Sequence, residues 1–141
     1  MSGDALPTFL VRLLQATNDH DLDALVGCFT PDYRNDTPAH PSRAFQGVEQ
    51  VRSNWRQIFG FIPDVRARVL SHVVDGSDLW SEWEMSGTRL DGTQHLMRGV
   101  IIFAVWDGRA VSARFYLEPV DEAGMTPDRA VRAQVHADVH P

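Results

Sequence analysis

Residues 94–119 read QHLMRGVIIFAVWDGRAVSARFYLEP. Two long, largely apolar runs flank Asp107-Gly108. Asp-Gly between such runs is the strongest short-range hairpin signal, because a two-residue reversal needs positive φ. Two more pairs, Asp75-Gly76 and Asp91-Gly92, punctuate the sequence ahead of it. Together they predict a four-stranded antiparallel meander over about residues 65–74, 78–89, 94–106 and 109–119.

Successive side chains of a strand point to opposite faces. In 94–106, His95, Met97, Ile101 and Phe103 face one way, and Leu96, Val100, Ile102 and Ala104 the other. A strand apolar on both faces is covered on both faces. Helices can cover one. A second copy of the sheet is the economical cover for the other, which predicts a homodimer through the outer sheet face. In ARFYLEP, residues 113–119, Arg114, Tyr116 and Glu118 share one face and Phe115 and Leu117 the opposite one. Periodicity leaves two options open. Either the polar row floors a reactive pocket, or Phe115 and Leu117 fill the core and the row is wet surface.

Ahead of the meander the pattern is helical. Phe9, Leu10, Leu13 and Leu14 repeat at helical spacing, with Pro7 tolerable in the first turn. Asn18 or Asp19 is the expected cap of a second helix, with Leu22, Leu25, Val26 and Phe29 as its stripe and Thr30-Pro31-Asp32 as its stop. Tyr33 to Asp36 suits a short strand, and residues 37–46 a Pro-rich loop. After Gly47, Val48, Val51, Trp55, Ile58 and Phe59 form one face of a third helix. Helices followed by strands make an α+β fold. Residues 1–121 are expected to be one domain and 122–141 a tail, with a short helix starting at Thr126-Pro127.

The 141 residues suit one domain, and 43% hydrophobic content suits a packed core. The net charge is −6 with no basic run, which argues against nucleic acid, since phosphate binding needs a clustered positive footprint. A single cysteine, Cys28, fits a reducing compartment. The N-terminal residues lack a secretion pattern and no apolar run reaches membrane-spanning length. A cytoplasmic protein with no membrane partner is expected. The six histidines are scattered, with only His136 and His140 at i, i+4 spacing, so no metal site is expected.

Several stretches resemble the nuclear-transport-factor-2-like superfamily, and within it the SnoaL-like polyketide cyclase group. DHDLDALVGCFTPDY is similar to its second helix and first strand. FQGVEQVRSNW is similar to its Gly-initiated third helix, FIPDVR to the turn that starts the meander, and DGRAVSARFYLEP to the closing hairpin. The resemblance covers residues 5–119 and implies a cone: a curved antiparallel meander sheet packed on three N-terminal helices around an internal apolar cavity. It implies cofactor-free proton-transfer chemistry, as in ketosteroid isomerase and SnoaL-type cyclases, where burial raises a carboxyl pKa toward neutrality.

On that resemblance Asp36 lies near an acid that faces the cavity, and Glu118 matches the acid/base Asp of the last strand, one methylene longer. Arg114 would hold the carboxylate charge and Tyr116 would donate to a substrate oxygen. The bland alternatives are an Asp bonded to backbone before a loop and an exposed Glu in a surface pair. Trp83 suits a cavity wall, with Glu82 and Glu84 outward. Arg98 needs a partner among Glu82, Glu84, Glu118 or a substrate carboxylate. His95 is an acid/base candidate or a hydrogen-bonded rim histidine. His40 and Arg43 lie in the loop that borders the cavity mouth in the family, and Trp55 is core or pocket wall. The expected function is a cofactor-free acid/base enzyme cyclising or isomerising a small, largely apolar oxygenated molecule. An epoxide hydrolase of the same fold, or a non-catalytic binding or dimerisation module, is the alternative.

Overall fold

The computed structural model describes residues 5–136. Helices α1 (Thr8–Asn18) and α2 (Leu22–Val26) lead into β1 (Phe29–Asp36). A 3-10 turn (Pro41–Arg43) and β2 (Phe45–Gln46) precede α3 (Val48–Phe61). The meander follows as β3 (Arg66–Asp75), β4 (Asp78–Thr88), β5 (Gln94–Trp106) and β6 (Arg109–Pro119), and α4 (Pro127–Val135) comes last. The strands form one curved, unclosed sheet in the order β2-β1-β6-β5-β4-β3. The α+β expectation therefore holds, with two strands more than the meander alone.

The turns follow their sequence signals. Asp107 and Gly108 both have positive φ, 53° and 79°, and join β5 to β6 in two residues. At the β4–β5 turn, Asp91 Oδ1 accepts from the Thr93 amide and hydroxyl. Thr126 caps α4 by accepting from the Arg129 amide.

Two local expectations are corrected. The cap of α2 is Asp21, which accepts from the Ala24 amide at 3.0 Å. Asn18 is engaged elsewhere: its side-chain amide donates to the Ala67 carbonyl and accepts from the Ala67 amide, at 2.9 and 2.7 Å, tying α1 to β3. Phe29 opens β1 rather than closing a helical stripe. Pro31 fits inside β1 because the pairing of β1 with β6 slips between Phe29 and Arg34, a break where a missing amide donor does no harm.

The core lies between the helices and one face of the sheet. Leu10 and Leu13 of α1, Leu25 of α2 and Val51 of α3 meet Trp83, Ile101 and Phe103. All are buried. Phe103 packs edge-on against Phe9 at a centroid distance of 5.0 Å.

Register shifts at Val69/Ser71 in β3 and Ala104/Val105 in β5 break the ladder and bend the sheet. Between them lies Gly99, with φ 151°. A Cβ there would collide with the Tyr116 carbonyl oxygen and sit 2.8 Å from Leu117 Cα. The neighbouring backbone leaves room for hydrogen alone. Gly99→Ala should lower stability by more than about 2 kcal/mol through overpacking. Gly60→Ala, in α3 with nothing within 4 Å of the new methyl, should raise it by up to about 1 kcal/mol. Urea midpoints of the two variants check both signs.

Candidate ligand-binding site

The phase of each strand decides what faces the cone interior. β5 directs His95, Met97, Ile101 and Phe103 toward the helices, as its alternation predicts. β6 pairs Phe103 with Ala113, Ile101 with Phe115 and Gly99 with Leu117. Phe115 and Leu117 are therefore the inward residues, and Phe115 lies against Phe103 at 6.4 Å. Arg114, Tyr116 and Glu118 face outward, opposite Ile102, Val100 and Arg98.

The polar row is thus an outer-face row, and its partners show what it does. Arg68, Glu84, Arg98 and Glu118 are successive cross-strand neighbours on that face. Arg68 Nε donates to Glu84 at 2.7 Å, and Arg98 donates to the other Glu84 oxygen at 2.8 Å. His40 Nε2 lies 3.1 Å from both Glu118 oxygens. Charges alternate along the row, which favours this register. Bonds from Arg68 and then Arg98 hold Glu84 below the usual carboxylate range. Arg98 has found a protein partner, so it is not free for a substrate carboxylate.

β1 repeats the logic. Tyr33 and Asn35 are buried and point inward, while Arg34 and Asp36 alternate outward and lie 3.6 Å apart. Asp36 stands in register with Arg114. The four residues expected to form a catalytic set share the outer face. Of the two phases that periodicity left open for β6, the structure takes the one with Phe115 and Leu117 inside, and Asp36 lies on the outer face rather than toward the cavity.

Inside the cone lies a cavity of about 270 Å³ between α3, β1, the loop after β1 and β6. Phe29, Val51, Ile58, Met97, Phe115 and Leu117 supply its apolar wall. Trp55 lines it too, tilted against Phe59 at 5.5 Å. Trp83 does not. It is buried behind the wall, and its indole N–H donates to Ser81 Oγ at 2.8 Å, leaving no donor for a ligand. His95 lies outside the lining, with burial and then the Arg89 charge lowering its pKa, so it stays neutral. His40 also lies outside, turned to Glu118.

The polar groups on the lining are Tyr33, Asn35, Thr37, Arg43 and Asn54, with no Asp or Glu among them. The Tyr33 hydroxyl donates to Asn35 Oδ1 at 2.7 Å, which leaves the Asn35 N–H groups for another acceptor. Burial, and then the Asp36 charge, push the Tyr33 phenol well above the ordinary tyrosine range. Among the described residues no group of three His, Cys, Asp or Glu is arranged to hold a metal. Tyr33 and Asn35 were legible in YRND: if the aromatic faces in, the residue two along faces in as well.

The SnoaL-like domain model matches residues 10–113. The chain belongs to the SnoaL-like domain family. No curated protein matches it. Solved structures share its fold. A protein with a ketosteroid isomerase-like fold from Catenulispora acidiphila, in complex with trimethylamine, is 16% identical with a TM-score of 0.69, covering 79% of this chain and 87% of its own. A candidate polyketide cyclase from Sinorhizobium meliloti is 24% identical, with a TM-score of 0.62 and coverage of 80% and 95%. An LEH-like epoxide hydrolase from M. tuberculosis is 18% identical, with a TM-score of 0.67 and coverage of 93% and 92%. At such identities the likeness shows the fold alone.

The buried phenol has a consequence in alkali. The native state holds Tyr33 neutral, so its stabilising effect is full below the unfolded tyrosine pKa of about 10 and is lost as pH rises beyond it. The chain has no lysine to titrate in the same range. Tyr33→Phe should cost about 1–3 kcal/mol at neutral pH, by stranding Asn35 Oδ1. It should also lessen the loss of stability above pH 10. Urea midpoints at the two pH values, wild type against variant, check this.

Proposed function

We propose that this SnoaL-like domain binds a small, largely apolar oxygenated molecule inside the cone, without a cofactor, and that acid/base catalysis is not its main task. The observation that carries this is the lining: an apolar cavity with convergent amide and phenol groups and no carboxylate. Such a composition is that of a binding pocket, and the volume suits a ligand of one or two rings. A proton-transfer enzyme needs a base within reach of the substrate carbon. An amide cannot serve, and Tyr33 is held neutral.

A cyclase, isomerase or epoxide hydrolase is the second reading. The kinship with SnoaL-like proteins favours it, as does the His40–Glu118 pair, a contact of a kind able to move protons. The two readings part on mutation. In the binding account, Leu117→Trp fills the cavity and lowers affinity by about tenfold or more, while Glu118→Gln and Asp36→Asn leave affinity within about twofold. Calorimetric titration with a neutral bicyclic ketone measures this. If a bound ligand is converted and either carboxyl variant abolishes that conversion, the enzyme account stands instead.

We also propose a homodimer through the outer face. Val73, Trp80 and Tyr116 are 61%, 47% and 41% exposed there. They lie beside Ile102 and Val100 in two adjacent cross-strand rows, flanked by the charged row. Exposed apolar side chains with Glu82 and Ser71 among them, beside a row of paired charges, suit a self-complementary contact. Sedimentation equilibrium should give twice the 15.8 kDa chain mass, and Trp80→Glu should give the single mass. A monomeric wild type at micromolar concentration would overturn the assignment.

A further inference from the structure

The cavity has a polar threshold. Outside it lies a hollow bounded by the 3-10 turn, β2 and α3, and the two share Arg43, Phe45 and Asn54. Arg43 and Asn54 put a guanidinium and a primary amide on the boundary that the two spaces have in common.

Arg43 and Asn54 both bring unspent donors to this threshold. The Arg43 backbone is fixed, its amide donating to the His40 carbonyl at 2.9 Å, while its side chain is exposed. Among the described residues its guanidinium has no ion-pair partner. Asn54 Oδ1 accepts from Gln50 at 2.8 Å, and its own N–H groups have no partner among the described residues. Asn35, deeper in, is left with its N–H groups in the same way. No Asp or Glu lines either space, in a chain whose net charge is −6. Arg43 is the one charged side chain on the two linings.

We propose that the ligand is an apolar carboxylate, its body in the cavity and its carboxylate at the threshold on Arg43 and Asn54. This rests on the small-molecule binding proposed above. A carboxylate accepts and never donates, matching what the threshold offers. Its two oxygens fit the guanidinium fork side by side. At the mouth the ion keeps part of its hydration, so it escapes the full desolvation penalty of a buried charge. The apolar walls then favour acids carrying a ring system or short branched chain over small polar anions.

Calorimetry with three probes of one shape tests this: naphthoate, acetylnaphthalene and naphthylmethylamine, on wild type and on Arg43→Gln. Naphthoate should bind about tenfold or more tighter than the ketone, as a charge-assisted bidentate contact requires. The amine should bind most weakly. Arg43→Gln should weaken naphthoate by about tenfold or more and the ketone by much less. If the ketone or the amine equals or exceeds naphthoate, the carboxylate assignment is wrong while the cavity stands. If naphthoate wins but Arg43→Gln does not weaken it, the threshold assignment is wrong. If folded protein binds none of the three at millimolar concentration, the cavity binding on which the proposal rests fails with it.

Discussion

Curvature of the sheet is the constraint on which the cavity depends, and it is concentrated where β5 passes β6. At Gly99 the strands approach so closely that the position admits no side chain, and φ is 151°. Ladder breaks at Val69/Ser71 and Ala104/Val105 lie on either side along the sheet. Flat sheets enclose nothing; bulges and glycine bends let a sheet wrap helices and leave a hollow. The hollow survives because β1 and β6 direct Tyr33, Asn35, Phe115 and Leu117 into it and the face of α3 closes it.

Once curvature selects the inner face, the chemistry on each side follows. The carboxylates of Asp36, Glu84 and Glu118 are on the convex side, among arginines and a histidine. There water screens them, and each pair contributes little to stability. They serve register and solubility, and they lie beside the exposed apolar side chains around Trp80. The polar side chains of the cavity lining are amides, hydroxyls, the Trp55 indole and one peripheral guanidinium.

Much of this was legible in the sequence. Three Asp-Gly pairs located the hairpins, and the stripe Val48, Val51, Trp55, Ile58 and Phe59 located the buried face of α3. The alternation of β5 was read correctly because Met97, Ile101 and Phe103 outweigh the other face in bulk. β6 resisted, since Phe115 and Tyr116 are nearly equal in size and adjacent. Only its register with β5 separates them, and register is a non-local property. The parallel pairing of β1 with β6 has no local signature either, so Asn35 went unnoticed as an inward residue. Asn18 looked like a cap because capping and long-range backbone bonding draw on the same side-chain groups.

Everything said of the site depends on Phe115, and not Tyr116, facing the cone interior. A nuclear Overhauser spectrum of protein labelled at Phe and Tyr rings tests it most directly. Cross-peaks are expected between the rings of Phe115 and Phe103, whose centroids are 6.4 Å apart, and none from the Tyr116 ring to Phe103 or Tyr33. Cross-peaks from Tyr116 to those rings would contradict it, and would return Arg114, Tyr116 and Glu118 to the cavity as a catalytic row.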